Sequence, residues 1–222
     1  MNNLLTRSLT GVLFCAILVF SIYFGKHSFI ALFFIVMVLG LWEFYALAEK
    51  GDIPTEGGSA TGGKPQKILG VVAGCVFYLV SRFYLIRIIP GIYLIVPIPL
   101  FFLIFIFELF SKSDKPLVNI AITLSGIFYI VLPLILLSYL AYPPPPYPNF
   151  ELFKYNPNIL LGFFFLIWTN DSAAYVTGVT FGKHQLFKRI SPKKTWEGVI
   201  GGALLASVVV YFAMDFLVIQ ES

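Results

Sequence analysis

The feature that most constrains this chain is the recurrence of long apolar runs. Residues 9–24, 29–47, 68–80, 92–110, 117–141, 158–180 and 198–219 each hold at most one charged side chain. A helix needs about 20 mostly apolar residues to cross the hydrocarbon layer. Only helices and closed barrels satisfy every backbone N–H and C=O there. The runs do not alternate apolar with polar residues, as barrel strands do. The chain is therefore expected to be all-α, a polytopic transmembrane helical bundle of about seven spans, forming a single integral-membrane domain over residues 1–222. Composition agrees: 59% of residues are hydrophobic and 12% charged, whereas a soluble domain carries about 25% charged residues. The third run is short, with room to extend past Arg82. The first two are joined by Gly25-Lys26-His27-Ser28, which reads as a tight helical hairpin. "SIYFGKHS", at the end of the first run, lacks the small-x-small cleavage pattern, so that run reads as a retained helix rather than a signal peptide.

Basic residues set the orientation, because cytoplasmic loops collect Lys and Arg. With the N-terminus in the cytoplasm, Arg7, Lys50, Lys64, Lys67, Lys112, Lys115, Lys183, Lys188, Arg189, Lys193 and Lys194 lie inside, and Lys26, Arg82, Arg87 and Lys154 lie outside. The inverse topology would reverse that bias. The net charge of +4 thus reflects topology and contact with anionic lipid rather than nucleic acid. Cys15 and Cys75 sit inside apolar runs and read as small packing residues, without the number or spacing of a disulfide or metal framework.

Several stretches carry little functional information. "AYPPPPYPNFELFKYNPN" (141–158) is a proline-rich connector that excludes helix and favours a stiff polyproline spacer. In "GDIPTEGGSATGGK" (51–64), Gly58, Gly63 and Lys64 fit the start of a phosphate-binding loop, but Pro65 stands where Ser or Thr should hold magnesium, and an apolar helix precedes it where a strand should be. A flexible linker is the better reading. Glu43 and Glu108, each near the end of a run, read as carboxylates reaching the membrane interface.

Residues 158–202 break the pattern. Thr169, Asn170, Asp171 and Ser172 fall in the middle of an apolar run. A carboxylate at that depth costs about 2.5–3.5 kcal/mol on insertion scales, so it is expected to face a cavity or a partner. With Asn170 beside it, it suits a hard, oxygen-seeking cation such as Mg²⁺. A polar loop at 181–197 follows, with Lys183, Lys188, Arg189, Lys193 and Lys194 against one acid, Glu197. Ser191 and Pro192 are expected to turn the chain, and Thr195 to cap the next helix with Glu197 in its first turn. Basic side chains, helix-terminal amides and a nearby carboxylate describe a site for phosphate groups. Gly198, Gly201 and Gly202 would let helices approach closely. His184 reads as a bystander.

"NDSAAYVTGVTFGKHQLFKRISPKKTWEGVIGG" closely resembles the corresponding stretch of the phosphatidate cytidylyltransferases, the CDP-diacylglycerol synthases. The matching positions are Asn170, Asp171, Ala174, Tyr175, Gly178, Phe181 to His184 and Ser191 to Gly198. "WEFYALAEKG" and "RSLTGVLF" are similar to further family elements. The resemblance implies a multi-pass membrane enzyme of phospholipid synthesis, which joins CTP to phosphatidate and releases pyrophosphate with Mg²⁺ as cofactor. It implies Asp171 as metal holder, with Asp171, Lys193 and Lys194 as catalytic residues. Asn170, Lys183, Arg189, Ser191, Thr195 and Glu197 would bind substrate. It also implies a homodimer, an inner-membrane location and a cytoplasmic loop 181–197. The family's Pro-Gly-His-Gly-Gly segment with its paired aspartates does not occur in these residues, so the chain is expected to be a truncated form, inactive by itself. Two alternatives stay open: a CTP- or ATP-dependent lipid or prenol kinase, and a transporter with Asp171 on an ion path, although no internal repeat supports the latter.

Overall fold

A computed structural model describes residues 3–50, 63–142, 154–188 and 191–218. They fall into two compact units, Met1–Asn156 and Pro157–Ser222. The first contains α1 (Asn3–Tyr23), α2 (Lys26–Lys50), α3 (Lys67–Leu85), a 3₁₀ turn (Gly91–Ile95), α4 (Pro97–Leu109), α5 (Pro116–Gly126), a π-turn (Ile127–Val131) and α6 (Leu132–Leu140). The second contains α7 (Pro157–Phe181), β1 (Gln185–Phe187), β2 (Ser191–Thr195) and α8 (Trp196–Val218). The expected helical bundle is present, and the polar loop adds one short hairpin. Among the described residues, five helical segments are long and apolar enough to cross a membrane. The first and last of the seven expected spans correspond to shorter apolar stretches, Leu9–Tyr23 and Trp196–Phe212. The chain is a multi-pass membrane protein.

The tight connection between α1 and α2 is built as its composition suggests. Gly25 takes φ +124°, a conformation that costs glycine nothing. The Ser21 hydroxyl donates to the Ser28 carbonyl at 2.8 Å, and the Ser28 hydroxyl donates back to the Ser21 carbonyl at 2.7 Å. The pair closes the hairpin without leaving polar groups in an apolar layer.

The core of the first unit follows the helical period. On α2, Phe29, Phe33, Met37, Leu41 and Tyr45 are buried at every fourth residue, a single stripe down one face. Tyr45, fully buried, fits where side chains are missing. A Cβ on Gly70 would lie 2.5 Å from its hydroxyl, and one on Gly126 would lie 2.6 Å from its ring. The Tyr45 hydroxyl donates to the Thr123 carbonyl at 2.8 Å, close to where the helix loosens into the π-turn. Pro133 explains that turn: it has no N–H for the carbonyl one turn back and its ring crowds that carbonyl, so the ladder widens.

Two charged residues depart from the sequence reading. Arg82, counted above among outside loop residues, lies within α3 and is only 3% exposed. Its guanidinium stacks on Tyr142, 4.2 Å from the ring centroid, and donates to the Tyr142 hydroxyl. The stem of α3 runs five residues past the expected end at 80, which carries the arginine inward. Glu108 likewise does not reach outward to an interface. It is 3% exposed and accepts hydrogen bonds from Gln66 Nε2 at 2.7 Å, Asn119 Nδ2 at 2.6 Å and Ser111 Oγ at 3.1 Å. Three donors from α4's own end, α5 and the approach to α3 make the inward position the better solvated one.

Candidate functional site

The second unit is an antiparallel pair of helices, α7 and α8, whose connection folds back as β1 and β2. Small residues bring the helices together. A Cβ on Gly198 would lie 2.8 Å from the Ala174 carbonyl oxygen. One on Gly202 would lie 2.9 Å from both Ala174 Cβ and the Asn170 carbonyl oxygen, and one on Gly201 would lie 2.5 Å from the Thr177 side chain. Thr177 bridges the seam, donating to the Ala173 carbonyl at 2.8 Å and lying 3.3 Å from that of Gly198. The close approach expected of these glycines is therefore realised, against Asn170, Ala174 and Thr177.

The same seam fixes the start of α8. Thr195 Oγ1 accepts the Gly198 amide at 3.2 Å, the N-cap bond expected of it. Thr195 also packs on α7's last turn: a Cβ on Gly182 would lie 2.8 Å from Thr195 Cγ2, and one on Gly178 would lie 3.2 Å from Thr195 Oγ1. Glu197, in the first turn of α8, turns back onto the chain leaving α7. It accepts the His184 amide at 3.2 Å and lies 2.6 Å from His184 Nδ1, while the Trp196 amide donates to the His184 carbonyl at 3.0 Å. That imidazole bond, and behind it the nearby backbone amides, pull the Glu197 carboxyl down to about 2. His184 is thus a clamp and not a bystander, although its ring is 77% exposed. The S-P-x-K-T-W-E-G spacing carried the signal: it sets Glu197 two residues after the cap, aimed at whatever precedes β1.

Between α7 and this clamp stands the hairpin. Gln185 pairs with Thr195 and Phe187 with Ser191, with an irregular register between. Ser191 and Pro192 were expected to turn the chain; they lie instead in β2. Pro192 has no ladder N–H, and it falls where five residues of β2 oppose three of β1, so the strand bulges there. Lys183, Lys188, Lys193 and Lys194 are exposed along this structure. Arg189 lies outside the described residues.

Asn170 lines the α7–α8 seam, its Oδ1 3.0 Å from where a Gly202 Cβ would stand. Asp171, one residue on, faces away from the seam and is exposed within this unit. Ten residues separate Asp171 from the end of α7, about 15 Å along a helix. Among the described residues, no hydrogen bond or ion pair joins it to Lys193 or Lys194, and no group of three His, Cys, Asp or Glu residues could hold a metal. The lysines and the cap thus form one cluster at the hairpin, and Asp171 lies in a separate layer of the same helix pair.

Comparison with known proteins places this arrangement. The model of the cytidylyltransferase family matches residues 5–221. A phosphatidate cytidylyltransferase of Haemophilus influenzae is 36% identical over 104 residues, 47% of this chain and 34% of the relative. One of Aquifex aeolicus is 33% identical over 175 residues, 62% of this chain and 66% of the relative. One of Staphylococcus haemolyticus is 45% identical over 56 residues, 24% of this chain and 22% of the relative. In each case the match spans less than two thirds of the curated relative's length. No solved structure matches. With the family model running along nearly its whole length, the chain belongs to the cytidylyltransferase family.

Proposed function

We propose that this chain serves the transfer of a cytidylyl group from CTP to phosphatidate, giving CDP-diacylglycerol and pyrophosphate, at the cytoplasmic face of the inner membrane. The observation that carries the reading is the framed hairpin. Thr195, Glu197 and His184 fix the start of α8, and that frame presents Lys193 and Lys194 as exposed cations beside helix-terminal amides. The names of the curated relatives supply the substrates. The excess of basic residues in the loop 181–197 supports its cytoplasmic side.

The chemistry needs little covalent help from protein. A phosphatidate oxygen attacks the α-phosphorus of CTP; the new P–O bond forms as the bond to the β-phosphate oxygen breaks, and pyrophosphate leaves with the electron pair. Both reactants are anionic, so the main requirements are charge neutralisation and alignment. Lys183, Lys188, Lys193 and Lys194 neutralise phosphates, and Ser191 and Thr195 hold their strand in place. Asp171 contributes one carboxylate in the membrane layer, with the Asn170 amide beside it. Such a donor set fits Mg²⁺, which uses one or two carboxylates together with substrate phosphates; when bound, the ion supplies charge stabilisation to those phosphates. A ligand that touches both Asp171 and the lysines has to extend along the helix pair, as a nucleotide meeting a lipid phosphate in line would.

Equilibrium binding of labelled CTP and ATP to the detergent-solubilised chain, with and without Mg²⁺, tests the reading. The expected outcome is a preference for CTP that Mg²⁺ strengthens and that the double substitution Lys193→Ala, Lys194→Ala weakens by on the order of 10²-fold, at about 1.5–3 kcal/mol per charge-assisted contact. Equal binding of ATP would move the assignment to a lipid kinase, and no binding of either nucleotide would remove it.

A further inference from the structure

The first unit carries a second polar site, which the cytidylyl reading does not use. At the end where α2 and α4 stop and α3 and α5 begin, a cavity of about 670 Å³ opens among Glu49, Lys64, Gln66, Glu108, Lys112 and Asn119. Asp114 and Lys115 complete its charged lining, so three carboxylates stand with three lysines. Glu49 is paired with Lys67 at 2.6 Å, but the lining still carries both signs and favours a ligand that does too.

The charges are also ordered by depth. Glu108 is buried, whereas Lys64 and Lys112 are exposed. Glu108 already accepts from Gln66, Asn119 and Ser111, three of the roughly four lone-pair positions a carboxylate offers. Gln66 spends both donors of its amide on Glu108 and the Ile104 carbonyl. Its Oε1 is left buried with no hydrogen-bond partner. Asn119 Oδ1 is taken by the Lys64 amide at 2.6 Å. At the buried end of the cavity, Gln66 Oε1 and one lone-pair position of Glu108 are thus acceptors still to be filled. Among the described residues no three His, Cys, Asp or Glu side chains gather, and an N–H donor group can fill both acceptors. Next in sequence to the lining residues Glu108 and Ser111, Leu109 and Phe110 are about four-fifths exposed, as is Leu117 in the first turn of α5. In a bilayer those side chains meet acyl chains.

From these observations we infer that the cavity is a headgroup site for a phospholipid with a primary ammonium. The ammonium donates to Glu108 and Gln66 Oε1, the phosphate lies between Lys64 and Lys112, and the tails run over Leu109, Phe110 and Leu117. A choline headgroup, which has no N–H, cannot fill those acceptors. The lining residues all belong to the first unit.

Native mass spectrometry of the detergent-solubilised full chain tests the assignment, with dioleoylphosphatidylethanolamine, dioleoylphosphatidylcholine and soluble phosphoethanolamine as probes. The ethanolamine lipid is expected to be retained on the order of ten-fold better than the choline lipid, the effect of one hydrogen bond to a charged group. Glu108→Gln should abolish that preference. Should that variant fold poorly, the double substitution Lys64→Ala, Lys112→Ala alters only exposed side chains and should reduce retention of both lipids several-fold. Equal retention of the two lipids by the wild-type chain, or retention indifferent to the lysine pair, overturns the site. Phosphoethanolamine held as tightly as the lipid overturns the lipid as its source.

Discussion

Glu108 in the first unit and Asp171 in the second are both lone acids in apolar runs, and the fold treats them oppositely. Glu108 is turned inward and receives three side-chain donors. Asp171 is exposed on its helix pair, without a hydrogen bond or ion pair among the described residues. A buried carboxylate that holds three side-chain donors in place is part of the structure, and removing it orphans those donors. An exposed carboxylate at membrane depth contributes nothing to its own unit's packing and is explained by what it meets. Depth along an apolar run therefore does not tell which acids the fold itself holds; the supply of nearby donors does.

Replacing each acid by alanine is the sharpest test of that contrast. Glu108→Ala should destabilise the protein by about 3 kcal/mol, because Gln66 and Asn119 lose a buried acceptor together. Asp171→Ala should change stability by no more than about 0.5 kcal/mol while weakening Mg²⁺-dependent CTP binding. Thermal unfolding in detergent, read beside nucleotide binding, checks both. Equal loss of stability in the two variants would erase the distinction.

The two units also differ in how their glycines are used. In the first, Gly70 and Gly126 make room for one ring, that of Tyr45; in the second, Gly198, Gly201 and Gly202 form a seam along which two backbones meet. Gly202→Ala puts a methyl group 2.9 Å from the Asn170 carbonyl oxygen, backbone that cannot rotate away. It should cost about 2 kcal/mol by overpacking, with the loss visible as earlier unfolding of the second unit. Gly11→Ala, where a Cβ meets nothing within 4 Å, should not destabilise.

Much of this was legible in the residues. The apolar runs gave the helices because in lipid length and hydropathy decide almost everything. The Thr195 cap and the glycine seam were legible because both act over three or four residues of one helix. What escaped were partnerships made across sequence distance. Gln66 and Glu108 are 42 residues apart, and Arg82 and Tyr142 are 60 apart; neither pair leaves a periodic trace. His184 was misread for the opposite reason: its partner is near in sequence, but the hairpin that returns the chain to it depends on Pro192 entering a strand, against its usual habit. At the candidate site, the lysines could be read from charge density, whereas their separation from Asp171 follows only from where α7 ends.

The cap and the clamp of the second unit rank below these effects and can be told apart. Thr195→Ala removes one N-cap acceptor and should cost about 1 kcal/mol, at every pH. The Glu197 contact should behave differently. Its carboxyl titrates at about 2 in the folded chain, held down first by the His184 ring, against about 4.3 when unfolded. A group whose folded value is depressed stabilises fully above the unfolded value and loses that contribution as pH falls through the folded one. The clamp should therefore hold unchanged at neutral pH, weaken below about pH 4 and be gone near pH 2. Because the pair is exposed, solvent screens it and the loss should be the smallest of those considered. Amide exchange at His184, whose N–H is bound to Glu197, should rise across that acid window beyond the intrinsic rate in the wild-type chain. In Glu197→Gln that extra rise should disappear, since the amide has no proton to take up. A rise of equal size in both proteins would mean that some other acid holds the base of the hairpin.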